Sequence, residues 1–502
     1  MSLSRQLETP VNPSDGPTPV VLRAAGAEIE TRDLPEPRPF RSVIGPGVIL
    51  VATAVGSGEI LFWPGIVSSY GFQFFWLAIA AVAAQYVLNT EFARYTLATG
   101  EPVTRGFSRL WSGFSWFFLA AAILPWVWPG WATGGAAALS WVFGGNVAHI
   151  ASATLVAIGL LLTSARVVYR AVEITQTVLI GAILVVAIGV ALLTVREPTL
   201  TAAASGLLAA PFPFPADLAT TTLLSAIVFC GAGGTINLAI SHWVRDKGLG
   251  MGVYAKRIVS PFSGENIAVG AQGFRFEPTR ENNQRWSAWW RLVRREQQLT
   301  FVAIGTACLL LFMLIAHAVS NGSGGGVDMN AVRAQAERLG STFGPTMFTV
   351  FALMVAAIFI KSSLGVLDHA ARLAANILKT SVALFARSKE RWSSESGLYF
   401  ITLWCMIAFG VFVLLGLEVA DPPALLIIAG SLSGIVMFVY SVLAIALNVA
   451  MKRRLNAEDA RFAAANPFTV NWPRWTMMAV AVALYGGLSI AVIIDALNKA
   501  LG

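Results

Sequence analysis

Long apolar runs recur along the whole chain, and they constrain its fold more than any other feature. A helix of about 20 apolar residues crosses the hydrocarbon core of a bilayer, and about eleven runs reach such a length. Only 12% of the residues are charged, about half the usual fraction in soluble domains. We therefore expect an all-α polytopic protein of the cell (inner) membrane, surrounded by the lipid bilayer. The predicted spans cover about 43–70, 72–98, 114–143, 148–166, 171–195, 218–244, 299–320, 345–369, 397–418, 422–451 and 473–496.

The charged residues between these runs predict the orientation. The loops 245–298 and 372–391 and the triplet Lys452-Arg453-Arg454 are basic, and a cytoplasmic N-terminus places all three on the cytoplasmic side. This arrangement satisfies the positive-inside rule, which also explains the net charge of +8 without a nucleic-acid partner. The proline-rich residues 1–42 are expected to form a disordered cytoplasmic tail, and residues 43–502 a transmembrane transporter domain.

The loop 245–298 contains one strongly patterned segment. Trp286, Trp289, Trp290 and Val293 recur at helical spacing with arginines between them. A basic helix with an aromatic face is typical of a helix lying at the membrane interface. An ordinary aromatic belt beside positive-inside charge explains the same residues equally well. We expect an interfacial helix in this cytoplasmic loop.

Two spans contain residues that should break a helix. The first carries Gly56, Ser57, Gly58 and Glu59 in mid-segment, where glycine costs about 1 kcal/mol relative to alanine. A carboxylate near the bilayer centre costs about 2.5–3.5 kcal/mol more. Irregular backbone at this depth is tolerated where it is buried in protein or lines a wet cavity, so we expect a midplane binding site. Small residues that let another helix approach closely are the structural alternative.

The sixth span carries the second break, residues 230–235 (CGAGGT). Two halves of about five spans each would have inverted topology and would place the two breaks at matching positions. We assign repeat one to 43–196, repeat two to 218–451 and an extra helix to 473–496. Paired glycine-interrupted spans indicate a midplane substrate site in secondary transporters. The predicted substrate-binding residues are Gly56, Ser57, Gly58, Glu59, Gly233, Gly234, Thr235 and Asn237.

Several stretches resemble the Nramp family, the natural-resistance-associated macrophage protein transporters of divalent transition metals and protons. Residues 45–47 (GPG) open the first span as the family's GP motif does, and 93–100 (ARYTLATG) resemble its A-R-x-x-x-x-T-G. Asn237-Leu238 stands where the family has N-L. The resemblance covers essentially all spans, and it implies a LeuT-like 5+5 inverted repeat with broken first and sixth helices plus one extra helix.

The chain departs from the family at its metal-binding motifs. The family's D-P-G-N in the first span is replaced by residues 56–59 (GSGE), and its M-P-H in the sixth by 234–236 (GTI). The family's two proton-handling acids of the third span align with Trp128 and Trp131. Because the soft sulfur ligand that favours late transition metals is missing, manganese or iron selectivity is not expected from these residues.

The eighth span offers replacements for the missing groups. Lys361, Ser362 and Ser363 lie about halfway along it, and in LeuT-like transporters this helix faces the break in the first. A buried lysine is costly unless it is paired, and Glu59 is the expected partner. Lys361 would also be able to take the place of a bound cation. A lysine that reaches toward an interface is the structural alternative. We assign these three residues to coupling or gating.

Three functions remain open from the sequence. The first is a secondary active transporter that moves a divalent cation by alternating access through an all-oxygen site, with Glu59 as the metal ligand beside Ser57 and Thr235. The second is a transporter of a small organic solute such as an amino acid. The third is a sensor that retains the fold without transporting. The sequence shows no constellation typical of an enzyme, and no cofactor is expected beyond a divalent metal as the transported substrate.

Overall fold

The computed structural model of the protein describes residues 29–165, 168–208, 215, 217–255, 273–320, 326–382 and 391–501. In these residues eight helical segments are long and apolar enough to cross a membrane. The first segment, Pro46–Thr99, contains the first and second predicted spans. The eight segments therefore hold nine spans. The third and sixth spans are each divided into two helices too short to be counted among the eight, and with them the described residues contain eleven spans.

Eight spans are single helices, numbered here by their order along the chain. The eighth span, Pro345–Ser381, extends well beyond its predicted end at residue 369 and packs against the first, third, fifth and ninth spans. It therefore forms the centre of the described structure. The other unbroken spans are the second, Phe75–Thr99, the fourth, Val147–Ser164, the fifth, Val168–Thr194, the seventh, Gly305–Ser320, the ninth, Glu395–Leu415, the tenth, Pro422–Glu458, and the eleventh, Trp472–Leu501.

Three spans are broken, one more than predicted. The first consists of Pro46–Ala54 and Trp63–Tyr70, joined by an unwound turn and a wide-turned π-helix, Gly58–Phe62. The sixth consists of Thr220–Val228 and Ile236–Lys247, and the third of Gly113–Ile123 and Gly130–Phe143. The prediction of a continuous third span is wrong. Pro125 and Pro129 lie in its gap, and proline removes a backbone donor and clashes within a helix.

The connecting segments between the predicted spans also contain helices. Helices Glu197–Leu207 and Met329–Phe343 lie in the stretches 197–217 and 320–344. Asp328 explains the start of the second of these, because its side chain accepts a hydrogen bond from Asn330 N at 3.3 Å. The remaining short helical elements are helices Phe40–Val43, Val103–Leu110 and Phe462–Ala465, the π-helix Gln298–Ile304 before the seventh span, and 3-10 turns at Gly71–Phe74, Gly250–Tyr254 and Arg391–Ser393.

Residues 29–42 of the predicted disordered tail are ordered, so that prediction is wrong for them, while residues 1–28 lie outside the described part. Strand β1, Ile29–Thr31, pairs in parallel with strand β2, Gly273–Arg275.

Helix Arg280–Gln297 lies at the position of the predicted interfacial helix. Its Trp286 and Trp289 are buried, and Trp289 Nε1 donates a 2.7 Å hydrogen bond to Pro35 O. This aromatic face therefore packs against protein.

Candidate functional site

The break in the first span leaves two main-chain oxygens without helical partners. A continuous helix would direct Gly56 N at the oxygen of Ala52, but this amide instead donates to Glu59 Oε2 at 2.7 Å. The helix ends at Ala54, and Val55 follows it with non-helical backbone angles. The oxygens of Ala52 and Val55, here called the carbonyl pair, lie at the C-terminal end of a half-helix. This end carries the negative pole of the helix dipole.

The side chain of Lys361 binds to the carbonyl pair. Its side chain is fully buried, and its Nζ donates to both Ala52 O and Val55 O and lies 3.4 Å from Ser362 Oγ. The Ser362 hydroxyl is itself 3.2 Å from Val55 O and 2.9 Å from Ile358 O. The placement of these two predicted coupling residues at the break follows from the central position of the eighth span, which packs directly against the first.

Glycine is required at position 56 for this contact. A Cβ added to Gly56 would lie only 2.6 Å from Ser362 Oγ, closer than a hydroxyl and a methyl group can approach. The glycine motif therefore interrupts the helix, and it also allows the eighth span to pack closely against the first. This contact agrees with the structural alternative of close helix packing, and the role of Gly56 in binding a substrate stays a prediction.

Whether Glu59 and Lys361 pair is a question that the sequence leaves open, and in the described residues they form no ion pair, because the Lys361 ammonium donates to the carbonyl pair instead. Glu59 is 1% exposed, and its Oε2 is occupied by Gly56 N while its Oε1 has no hydrogen-bond partner. A buried carboxylate oxygen without a partner is costly. The carboxylate of Glu59 therefore has one oxygen that no group of the described residues satisfies.

The sixth-span break is held open by a residue that the sequence analysis missed. Gln85 of the second span donates from Nε2 to Val228 O at 3.1 Å and accepts at Oε1 from Gly233 N at 3.2 Å. One amide side chain thus satisfies backbone groups on both sides of the break. Gly233 and Gly234 have φ of +68° and +45°, a region that favours glycine. A side-chain amide in the apolar first half of the second span is the signal that could have identified Gln85.

The two breaks touch at Gly58. A Cβ added there would overlap the carbonyl oxygen of Phe229, so only glycine allows this approach. The rings of Phe62 and Phe229 lie 5.9 Å apart next to the contact. The matched breaks of the first and sixth spans therefore form one continuous region of irregular backbone.

Replacing Gly58 by alanine is expected to destabilise the protein by about 1–3 kcal/mol, the usual cost of overpacking a core. The matched control is Gly181→Ala in the fifth span, where an added Cβ meets nothing within 4 Å. Thermal unfolding of both variants in detergent measures the difference. A Gly58→Ala protein as stable as the control would show that the two breaks do not touch.

Two of the predicted sixth-span residues hydrogen-bond to neighbouring spans. Thr235 Oγ1 accepts a 2.7 Å hydrogen bond from Trp126 Nε1 and lies 3.3 Å from His369 Nε2. Asn237 Nδ2 donates to Tyr440 OH in the tenth span at 2.7 Å. The described residues show no hydrogen bond from either residue to Glu59. Thr235 and Asn237 therefore join the sixth span to its neighbours.

Aromatic side chains cover the sixth-span break. Trp126 and Trp131 of the third span stack with ring centroids 5.5 Å apart, and Trp131 meets Phe229 edge-on at 5.6 Å. Trp128 and Ser363 line a small cavity beside these rings together with residues of the fourth and ninth spans. Ser363 therefore faces the third span, unlike Ser362, and it does not join the carbonyl pair.

A buried cluster of charges lies farther along the sixth and eighth spans, toward the predicted cytoplasmic side. Arg372 donates to Asp368 at 2.8 Å and also pairs with Asp246. Arg245 bridges Asp246 and Glu395 at 2.9 Å each. All five side chains are at most 3% exposed. The cluster ties the sixth, eighth and ninth spans together and explains why the eighth helix continues past its predicted end.

Within the described residues, no group of three or more His, Cys, Asp or Glu side chains is placed to hold a metal ion. Any cation site at the first break must therefore rely on main-chain and hydroxyl oxygens beside the single carboxylate of Glu59. That donor set suits hard cations.

Solved structures of a manganese transporter from Eremococcus coleocola are similar to this chain. One mutant has a TM-score of 0.64 and 14% identity, covering 94% of this chain and 91% of that chain. Another has a TM-score of 0.64 and 15% identity, covering 96% and 92%. A complex with an aromatic bis-isothiourea substituted compound has a TM-score of 0.61 and 16% identity, covering 94% and 90%. No protein-family model and no curated protein sequence matches.

The similarity extends over nearly the whole of both chains, although few residues are identical. The similarity shows that the chain shares the fold of these structures, as the resemblance to a known family predicts. The breaks in the first and sixth spans are seen in the structure of this chain itself.

Proposed function

We propose that this protein is a secondary active transporter that moves a small cation across the membrane by alternating access. The observation that carries this proposal is the carbonyl pair, which holds the positive charge of Lys361 at the first-span break. The C-terminal ends of broken half-helices coordinate cations in secondary transporters. A position that stabilises an ammonium group in a buried site is able to stabilise a free cation as well.

The substrate class that fits these donors is a hard divalent cation such as Mn²⁺, Mg²⁺ or Ca²⁺. Glu59 supplies a carboxylate oxygen with no other partner, and the break supplies main-chain oxygens. Carboxylate and carbonyl oxygens are the preferred ligands of these ions. The similar structures come from a protein described as a manganese transporter, which agrees with this choice.

Alternating access requires the region of the two breaks to move relative to the rest of the protein. In folds with inverted repeats, the bundle that carries the broken helices rocks against a scaffold. The Gly58 contact joins the two breaks, so we expect the first and sixth spans to move together. The eighth span contacts the first-span break through Lys361, so we expect such a movement to change this contact.

A small organic solute with an amino group is the second candidate. It is favoured by the presence of one carboxylate with an unpartnered oxygen and by the lack of a three-ligand metal cluster in the described residues. An ammonium group needs one carboxylate and a few carbonyls, which is the donor set at the break. Amino acids are the simplest solutes of this kind.

Uptake into proteoliposomes distinguishes the candidates. We expect the purified protein to take up Mn²⁺ or Mg²⁺, and we expect the Glu59→Gln variant to lose this flux. Uptake of amino acids with no flux of any divalent ion would overturn the cation proposal and support the second candidate. Failure to move either class of solute would contradict both.

A further inference from the structure

We propose that Glu296 is a latch on the first span, and that its release opens the predicted cytoplasmic side of the transport path. This inference rests on the proposed function and assigns a gating residue to it. Glu296 belongs to helix Arg280–Gln297 and is only 2% exposed. Its carboxylate contacts the beginning of helix Pro46–Ala54, here called the first half-helix.

The carboxylate of Glu296 caps the first half-helix. Its Oε1 accepts hydrogen bonds from Gly47 N at 2.6 Å and from Gly45 N at 3.3 Å. The first amides of a helix have no partner within the helix, and a negative group beside them also interacts favourably with the helix dipole. Oε2 accepts a 2.8 Å hydrogen bond from Gln297 Nε2, which orients the carboxylate. One side chain thus supplies a partner for two amides of a different span.

The contact depends on close approach of the main chain at Gly47. A Cβ added to Gly47 would lie 2.6 Å from Gln297 Nε2 and 2.6 Å from Glu296 Oε2, and it would overlap Thr300 Oγ1. Any larger residue at position 47 therefore separates the first half-helix from Glu296. The glycine and the carboxylate form one contact between the first span and the helix that leads into the seventh.

The first half-helix can rotate as one unit, because the break follows it directly. It ends at Ala54, and the non-helical backbone of Val55 separates it from the rest of the first span. At 1.5 Å per residue, its length places the Glu296 contact roughly 13 Å from this hinge. The latch therefore lies at the end of the first half-helix where rotation about the break produces the largest displacement.

A native cysteine lies beneath the first half-helix and can report its movement. Cys308 of the seventh span is fully buried in an apolar cluster with Val51, Ala52 and Val55. Rotation of the first half-helix away from the seventh span uncovers the Cys308 thiol. Cys230 is also buried, but it lies at the sixth-span break, beyond the hinge, and serves as the internal reference for loss of the whole fold.

Alkylation of the purified full-length protein with N-ethylmaleimide, followed by peptide mass spectrometry, measures the labelling rate of each cysteine. We expect Glu296→Ala to accelerate labelling of Cys308 by about tenfold or more, because a charged hydrogen-bond acceptor is lost. Cys230 should remain as slow as in the wild type. Glu281→Ala removes an exposed carboxylate of the same helix, paired with Arg285. It is the matched control and should change neither rate.

The outcomes distinguish a latch from a contact that only stabilises the fold. Unchanged labelling of Cys308 in Glu296→Ala, or equal acceleration of Cys308 and Cys230, would overturn the latch. If Glu296→Ala does not fold, Gly47→Ala displaces the first half-helix from the opposite side of the contact, and wild-type labelling of Cys308 in that variant would overturn the latch instead. Labelling requires no transported solute, whereas the proposed function fails if proteoliposomes take up no cation, so the two proposals are tested independently.

Discussion

Replacing Glu59 by glutamine is expected to remove divalent-cation binding almost completely. Glu59 provides the carboxylate at the first-span break, and its Oε1 is free for a ligand. Loss of a group that acts only through a metal ligand costs about 10–100-fold in affinity, so loss of the ligand's charge should cost at least about 100-fold. Calorimetry or uptake of Mn²⁺ into proteoliposomes measures the effect.

The Glu59→Gln variant should nevertheless fold normally. A glutamine side-chain oxygen is able to accept the hydrogen bond that Gly56 N now gives to Oε2, so the contact across the unwound turn is kept. Glu337→Gln, at an exposed carboxylate paired with Arg333, is the matched control and should bind as the wild type. Unchanged Mn²⁺ affinity in Glu59→Gln would exclude Glu59 as a ligand.

Replacing Arg372 by methionine is expected to lower the free energy of unfolding by about 3–5 kcal/mol, the usual effect of breaking a buried ion pair. Arg372 is fully buried between Asp368 and Asp246. Methionine keeps part of the volume but leaves these carboxylates without their main counter-charge. Thermal unfolding in detergent measures the loss.

The control for Arg372 is Arg333→Met. Arg333 pairs with Glu337 on an exposed face, where the two side chains are 51% and 56% exposed, and such pairs contribute about 0–1 kcal/mol. If the Arg372 variant unfolds at the same temperature as the Arg333 variant, the cluster does not hold the sixth, eighth and ninth spans together.

The spans and the two matched breaks could be predicted because each depends on local composition. Apolar length predicts a helix in lipid, and glycine within that length predicts where it opens. Lys361 could be singled out for the same reason, since a lysine in the middle of an apolar span needs a partner. Its position at the first break follows from the resemblance to a known family.

The contacts within the site could not be predicted, because they depend on which helices are neighbours. The sequence suggests Glu59 as the partner of Lys361, yet in the fold the Lys361 ammonium donates to the carbonyl pair. Gln85 bridges the sixth-span break from the second span, and no spacing in the sequence connects the two. The charge cluster around Arg372 likewise joins residues from three spans. The apolar run continues around Pro125 and Pro129, so apolar length alone does not predict the third-span break.

The most direct test of the cation site is the position of bound Mn²⁺ in crystals of the purified protein, located by anomalous X-ray scattering. The account predicts an anomalous peak about 2.0–2.6 Å from Glu59 Oε1 and from the carbonyl oxygens of the first-span break, with the Lys361 side chain withdrawn. A peak elsewhere in the membrane region, with Lys361 still bound to Ala52 O and Val55 O, would contradict it.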